Sequence, residues 1–302
     1  VADHACTWRI SPTRAIQLDR PCLFTILNLT PDSFADGGRL TTPGHARDAA
    51  LRASDQGADG LDLGAESTRP GAARVDPDEQ RRRLIPAIEA IRAAGIGLPI
   101  TADTTRSEVA RAALDAGADA INDVSAGTED DGMLALAAER SCAIVLMHRL
   151  APPTGDSYSD RYRTDPDYPG GVQNAVRSFL ARRLAAARSA GVPEEGVLLD
   201  PGLGFGKSVP QNLELIRATA GLCSLGRPVM SALSRKSFVG RIGLGRDSTP
   251  DERLPATLAL SALHLGAGAR VFRVHDTAPH RQALDAAWAS LGPDGTIDRS
   301  VG

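Results

Sequence analysis

The stretch Leu114-Asp115-Ala116-Gly117-Ala118-Asp119-Ala120-Ile121-Asn122-Asp123 contains one complete structural transition. An amphipathic Ala- and Leu-rich segment ends, a glycine able to take the left-handed conformation turns the chain, and a short apolar run leads to a polar end. Related endings occur at Gln56-Gly57-Ala58-Asp59 and Gly266-Ala267-Gly268-Ala269. This repeat is structural and carries no chemistry itself. It sets the rhythm of βα units, and eight apolar runs follow it: 23–28, 60–63, 99–103, 120–123, 143–147, 197–200, 228–232 and 270–273. Eight parallel strands close a barrel, and a barrel needs about 250 residues, so the 302 present suffice for one domain. The runs are apolar on both faces, as parallel strands covered by helices outside and packed side chains inside must be. The expected fold is α/β, a (β/α)8 TIM barrel, with a doubly wound open sheet as the alternative.

Working outward, Trp8-Arg9-Ile10 and Ala15-Ile16-Gln17-Leu18 read as two short strands around Ser11-Pro12-Thr13. They predict a hairpin over residues 1–22 that closes the barrel bottom. The barrel itself spans 23–291, and the polar residues 292–302 form a flexible tail. Between Ala151 and Gly171 the chain becomes rich in Pro, Asp and Tyr without helical period, which marks a long loop after strand five with scope to move.

Composition narrows the function. With 42% hydrophobic and 24% charged residues the chain is an ordinary globular one, and no apolar run approaches the roughly 20 residues of a membrane helix. A net charge of −3 supplies no field for a polyanion, so a small-molecule ligand is expected, with neither nucleic acid nor membrane as partner. Cys6, Cys22, Cys142 and Cys223 are scattered without metal-binding spacing and read as reduced thiols. The N-terminus lacks a basic segment followed by an apolar one, so a cytoplasmic location is expected.

In a TIM barrel the site lies at the carboxyl ends of the strands. Here those ends are polar: Asn28, Glu66-Ser67-Thr68-Arg69, Asp103, Asn122-Asp123, Asp200, Ser234-Arg235-Lys236-Ser237 and Arg273-Val274-His275. Any one of them could be a cap or a turn; seven together point to a site. Asp103, Asn122, Asp200 and Lys236 mix acceptors and donors and suit a flat heterocycle with a guanidine-like N–H edge beside a carbonyl. Thr68, Arg69, Arg273 and His275, with Asn28 nearby, form a cationic, donor-rich group suited to phosphate. Together they suggest a heterocycle carrying a diphosphate, and displacement of that diphosphate at an activated carbon. No G-x-S-x-G elbow supports an enzyme nucleophile.

Asp200-Pro201-Gly202-Leu203-Gly204-Phe205-Gly206-Lys207-Ser208 matches neither a P-loop nor the Rossmann spacing. Its glycines instead let backbone approach a flat ligand while Phe205 packs on it; a plain tight turn is the alternative. The six histidines show no HxH or HExxH pattern, which argues against zinc. A metal, if used, is Mg2+ held mainly by substrate phosphates, with Asn28 supplying one oxygen.

The run Ile26-Leu27-Asn28-Leu29-Thr30-Pro31-Asp32-Ser33-Phe34-Ala35-Asp36-Gly37-Gly38 resembles the first signature of the dihydropteroate synthases, and Asp62-Leu63-Gly64-Ala65-Glu66-Ser67-Thr68-Arg69-Pro70-Gly71 resembles the second. Similarity continues through Asp103-Thr104, Ile121 to Ser125, Leu146-Met147-His148, Asp200 to Lys207, Leu233 to Phe238 and Phe272 to Asp276. The resemblance implies condensation of a hydroxymethyl-dihydropterin pyrophosphate with p-aminobenzoate in folate biosynthesis. It implies a pterin site of Asp103, Asn122, Met147, Asp200, Gly204, Phe205 and Lys236. It implies a pyrophosphate and Mg2+ site of Asn28, Arg69, Arg273 and His275, and a p-aminobenzoate site of Pro31, Phe34, Thr68 and Ser234. It implies that Arg69, Asp103, Lys236, Arg273 and His275 carry the catalysis. It further implies an SN1-like order in which pyrophosphate leaves first, closure of loops 32–39 and 66–74, a homodimer through barrel helices, and a sulfonamide target. The chain departs from the common pattern after His148, where Arg149-Leu150-Ala151-Pro152-Pro153 replaces a usual Met and Gly, and at Ala65, where Gly is frequent. Two other functions share these features in part: a methyltetrahydrofolate-dependent methyltransferase, and a catalytically silent paralogue that binds pterin.

Overall fold

A computed structural model describes residues 7–30 and 42–291. The ten strands among them are β1 (Thr7–Ser11), β2 (Arg14–Gln17), β3 (Cys22–Asn28), β4 (Gly60–Gly64), β5 (Ile100–Asp103), β6 (Ala120–Asp123), β7 (Ala143–Met147), β8 (Val197–Asp200), β9 (Met230–Ser231) and β10 (Val271–Val274). The helices are α1 (Pro43–Asp55), α2 (Pro77–Ala93), α3 (Ser107–Asp115), α4 (Gly132–Arg140), α5 (Val172–Ser189), α6 (Val209–Arg217), α7 (Thr219–Cys223), α8 (Ser237–Leu244), α9 (Leu254–Gly266) and α10 (Thr277–Ala289). Strands β3 to β10 lie side by side in the order β8-β7-β6-β5-β4-β3-β10-β9, each pair parallel. A bridge between Leu199 and Val229, with the Leu199 N–H on the Pro228 carbonyl at 3.0 Å, joins β8 to the last strand and closes the barrel.

The repeated helix ending works as the sequence suggests. Gln56, Ala116 and Ala267 cap α1, α3 and α9, and the glycines after them have φ of +85°, +111° and +117°. A side chain is strained there, so glycine lets the chain leave the helix and enter the next strand. The position that follows has a further use. In two of the three copies it is an aspartate: Asp59 accepts from the Leu23 N–H and Asp119 from the Ile100 N–H, both at 2.8 Å, so each satisfies a donor near the start of the neighbouring strand.

The expected strand 228–232 is only two residues long. Its neighbours pair at staggered levels: β8 uses Pro228 and Val229, whereas β10 uses Met230 and Ser231. The long segment after β7 contains a 3-10 turn at Pro153–Gly155 and is anchored along its length. Tyr168 Oη donates to the Gly206 carbonyl at 2.7 Å, Tyr162 Oη donates to Asp156 at 2.6 Å, and Asn212 donates to Ser159 at 3.1 Å. The expected tail 292–302 lies outside the described residues, as does Cys6; Cys22, Cys142 and Cys223 are free thiols.

The hairpin of β1 and β2 plugs the amino end of the barrel. Trp8 is fully buried, sits 5.6 Å from the Phe24 ring, and donates its indole N–H to the Gly196 carbonyl at 2.9 Å. With Ile10 and Leu18 it covers inward-facing Ala120, Ala143, Leu198 and Val271. Truncation of Trp8 removes that cover at the end opposite the polar strand termini. Trp8→Ala is predicted to lower unfolding free energy by about 3–5 kcal/mol, read as a reduced urea midpoint, while catalysis below the transition persists.

Candidate active site

Parallel strands bring all eight carboxyl ends to one mouth, and a cavity of about 350 Å³ opens there. One part of its wall is donor-rich: Asn28 from the end of β3, Thr68 and Arg69 after β4, and His275 after β10. Another part holds Gly204, Phe205, Ser234 and Lys236, with Arg273 between the two. Lys236 Nζ stands 4.2 Å over the Phe205 ring and donates to the Leu203 carbonyl. Gly204 has φ +83°, and a Cβ there would lie 2.7 Å from Lys236 Cδ, so glycine is what allows this approach.

Below the cavity lies a buried polar floor. Asp103, Asn122 and Asp200 are 6%, 3% and 3% exposed, and Met147 packs with Val124 and Phe205 beside them. The centre of this floor is Asp62, on β4. Its Oδ1 accepts from Thr101 Oγ1 at 2.5 Å and Asn122 Nδ2 at 3.1 Å, and its Oδ2 accepts from Arg273 Nε at 2.5 Å. Arg273 Nη2 reaches Asp103 at 2.7 Å. One guanidinium therefore joins three strands.

These contacts revise the expected division of charge. The sequence groups Arg273 with the phosphate donors, yet two carboxylates share its guanidinium, so it belongs to both halves. His275 is not cationic either: burial, then the nearby Arg273, Arg235 and Arg69, holds its imidazole neutral well below the usual histidine range. The Ser234 hydroxyl accepts from the His275 backbone N–H at 3.2 Å and lies 3.1 Å from Nδ1. With the hydroxyl hydrogen on Nδ1, Nε2 keeps the ring proton and can donate to an oxyanion. Burial pushes the Asp103 carboxyl up to about 7, against the pull of Arg273. Burial also brings Lys236 down to about 7, against the pull of Asp200.

The family model for pterin binding enzymes matches residues 24–275. A dihydropteroate synthase of Streptococcus pyogenes is 44% identical over 251 residues, covering 83% of this chain and 88% of that one. The dihydropteroate synthase of Xanthomonas albilineans solved with 4-aminobenzoic acid superposes with a TM-score of 0.82 at 41% identity, covering 94% of this chain and 98% of the other. A second structure of that enzyme, in complex with 7,8-dihydropteroate, gives 0.79 at 39%, covering 93% and 98%. The chain belongs to the dihydropteroate synthase family of pterin-binding enzymes.

As a member of that family, the chain gathers Asn28, Thr68, Arg69, Gly204, Phe205, Ser234, Lys236, Arg273 and His275 around one cavity and sets Asp103, Asn122, Met147 and Asp200 beneath it. Pro31 and Phe34, and with them the loop 32–39, lie outside the described residues. Asp123, polar at a strand end, is a turn-former: it accepts from the Ser125 N–H at 2.7 Å and the Gly127 N–H at 2.6 Å. Glu66 anchors its own loop, accepting from the Val75 N–H at 3.2 Å and Gln80 at 3.0 Å. Among the described residues no cluster of three or more His, Cys, Asp and Glu side chains is placed to hold a metal ion.

Several site residues were not singled out in the sequence. Asp62 is one, although a carboxylate inside the buried strand Gly60-Leu61-Asp62-Leu63-Gly64 is itself a signal. Tyr158, Asp160 and Arg161 bring the departing loop to the cavity rim, where Arg161 pairs with Asp247 at 2.7 Å. Lys207 is completely buried and gives its protons to the carbonyls of His148, Gly202 and Phe205 at 3.3, 2.9 and 2.8 Å, with His148 Nδ1 at 3.0 Å. It ties the β7 end to the Phe205 loop. Lys207→Met leaves these acceptors unpaired at about 1–3 kcal/mol each, so a lower melting temperature and weaker pterin binding are expected, measured by scanning calorimetry and titration.

Proposed function

We propose that the chain condenses hydroxymethyl-dihydropterin pyrophosphate with p-aminobenzoate, yielding dihydropteroate and pyrophosphate for folate biosynthesis. The observation that carries this reading is the union, in one barrel mouth, of an acceptor-rich buried floor and a donor-rich wall. Asp103, Asn122 and Asp200 accept from the N–H edge of a pterin, and Lys236 donates to its carbonyl. Arg69, His275 and Asn28, with one side of Arg273, meet the diphosphate. Asn28 would offer one oxygen to a Mg2+ carried by that diphosphate, a cation that would supply charge neutralisation on the leaving group.

Departure of pyrophosphate leaves a cationic pterin methylene. The floor favours that cation, because Asp103 and Asp200 lie beside it in a low-dielectric setting. The aniline nitrogen of p-aminobenzoate is uncharged near neutral pH and attacks without a strong base. Thr68 and Ser234 flank its place, and the backbone N–H groups at the start of α8 suit its carboxylate. The same reading makes this protein a cytoplasmic homodimer and a sulfonamide target; exposed Ile242 and Leu244 on α8 and Leu263 on α9 supply apolar surface for a contact between copies.

The test is product formation from both substrates with Mg2+, omitting each in turn. Dihydropteroate should appear only with both. Tight pterin binding without turnover would identify a silent paralogue instead. Asp200→Asn should weaken pterin affinity about 10- to 100-fold, and Arg273→Ala should lower kcat/KM about 100- to 1,000-fold.

The pH profile follows from the buried groups. The charges acting on Asp103 are those of Arg273 and Lys236, which favour its ionised form, and of Asp62, Glu66 and Asp123, which oppose it. Below about 7 it takes up a proton and accepts one bond fewer; above about 7 Lys236 loses its proton and donates one fewer. A narrow bell in kcat/KM centred near pH 7 is expected, and a rate that is flat from about pH 6 to 8 would rule out these roles.

A further inference from the structure

We propose that Asp62 is a positioning residue that fixes Arg273 across the site and sets the orientation of the Asn122 amide. The proposal rests on the synthase reading of the cavity and deepens it. Asp62 is 1% exposed and is not part of the cavity wall, so it acts on ligands through its partners.

Three donors converge on its carboxylate from three strands. Arg273 Nε arrives from β10, Asn122 Nδ2 from β6 and Thr101 Oγ1 from β5. A carboxylate only accepts, so the amide must turn its NH2 group toward Asp62. The Asn122 oxygen is thereby kept for an N–H of the heterocycle. Without Asp62 the amide can rotate by half a turn and offer a donor where the pterin edge needs an acceptor.

For Arg273 the effect is one of division. Nε is bound to Asp62, while Nη2 reaches the exchangeable partner Asp103. The guanidinium plane is held by the first contact, so a diphosphate oxygen or the pterin can take over the second without losing the arginine's placement. A lysine cannot bridge two carboxylates in this way, because its ammonium has no planar fork. Asp62 also adds to the negative charge that keeps the proton on Asp103.

The experiment is a double-mutant cycle of Asp62→Asn and Arg273→Ala, read as the affinity for the dihydropterin pyrophosphate and as kcat and KM over a range of pH. Asp62→Asn alone should reduce affinity about 10- to 100-fold, the loss of a buried charged hydrogen bond, and in the Arg273→Ala background only the part carried by Asn122 should remain, so the two losses are less than additive. The acid limb of its kcat/KM profile should move to lower pH, since a charge opposing ionisation of Asp103 has been removed. Additive losses with an unmoved acid limb, or a melting temperature that falls in step with activity, would assign Asp62 to structure alone and overturn the proposal.

Arg273→Lys gives a second route if Asp62→Asn does not fold. It keeps the charge and loses the bridge, so wild-type kcat/KM in that variant also overturns the proposal. Calorimetric titration with 6-hydroxymethylpterin separates this inference from the synthase reading. If the wild type binds the pterin without making dihydropteroate, the reading fails. The comparison of Asp62→Asn with wild type for pterin affinity then still decides the role of Asp62: an unchanged affinity overturns it, and a 10-fold or greater loss, about the cost of one such bond, upholds it.

Discussion

One guanidinium holds the barrel mouth together. Arg273 on β10, half-buried at the cavity, lies between the buried carboxylates of Asp62 on β4 and Asp103 on β5. Burying such charges is costly unless each is paired and hydrogen-bonded. The surrounding strands meet that condition with Thr101 and Asn122 on Asp62, and the Gly202 N–H on Asp200 at 2.7 Å. Removing any one member leaves another charge without compensation. The same desolvation that makes the cluster costly makes it useful, because a cation forming above it meets fixed dipoles and carboxylates that need no rearrangement.

The two ends of the barrel divide the work. At the amino end, Trp8 and Ile10 seal the interior with apolar surface and contribute nothing polar to the cavity. At the carboxyl end the floor is polar, and the loops that frame it are fixed by side chains bonded to backbone: Lys207 under the Phe205 loop, Glu66 under the Thr68 loop, Asp123 after β6. Each is a buried polar group whose hydrogen bonds are spent on loop geometry. Ligand-binding atoms on flexible-looking sequence are therefore held on a rigid frame.

Much of this was legible in the chain before folding. Glycine-terminated helices followed by apolar runs gave the barrel, because the φ of Gly57, Gly117 and Gly268 is dictated by the turn from helix into strand. Polar strand ends located the site because parallel strands share one mouth. Attention to strand ends also explains what was missed. Asp62 lies two residues before the end of β4 and points into the shared floor, where periodicity gives no warning. The neutral state of His275 and the sharing of Arg273 depend on burial and on neighbours distant in sequence, which local patterns do not contain. Tyr158 and Arg161 sit in a loop whose path depends on anchors at Gly206, Asn212 and Asp247.

The central claim is that a heterocycle floor and an oxyanion wall occupy one cavity as separate halves joined by Arg273. Titration of the protein with 6-hydroxymethylpterin, with pyrophosphate and Mg2+, and with both together tests it directly. The account predicts that the two bind at the same time, that Asn122→Ala weakens the pterin alone, and that Arg69→Ala weakens pyrophosphate alone. Mutual exclusion of the two ligands, or equal loss of both in each variant, would contradict it.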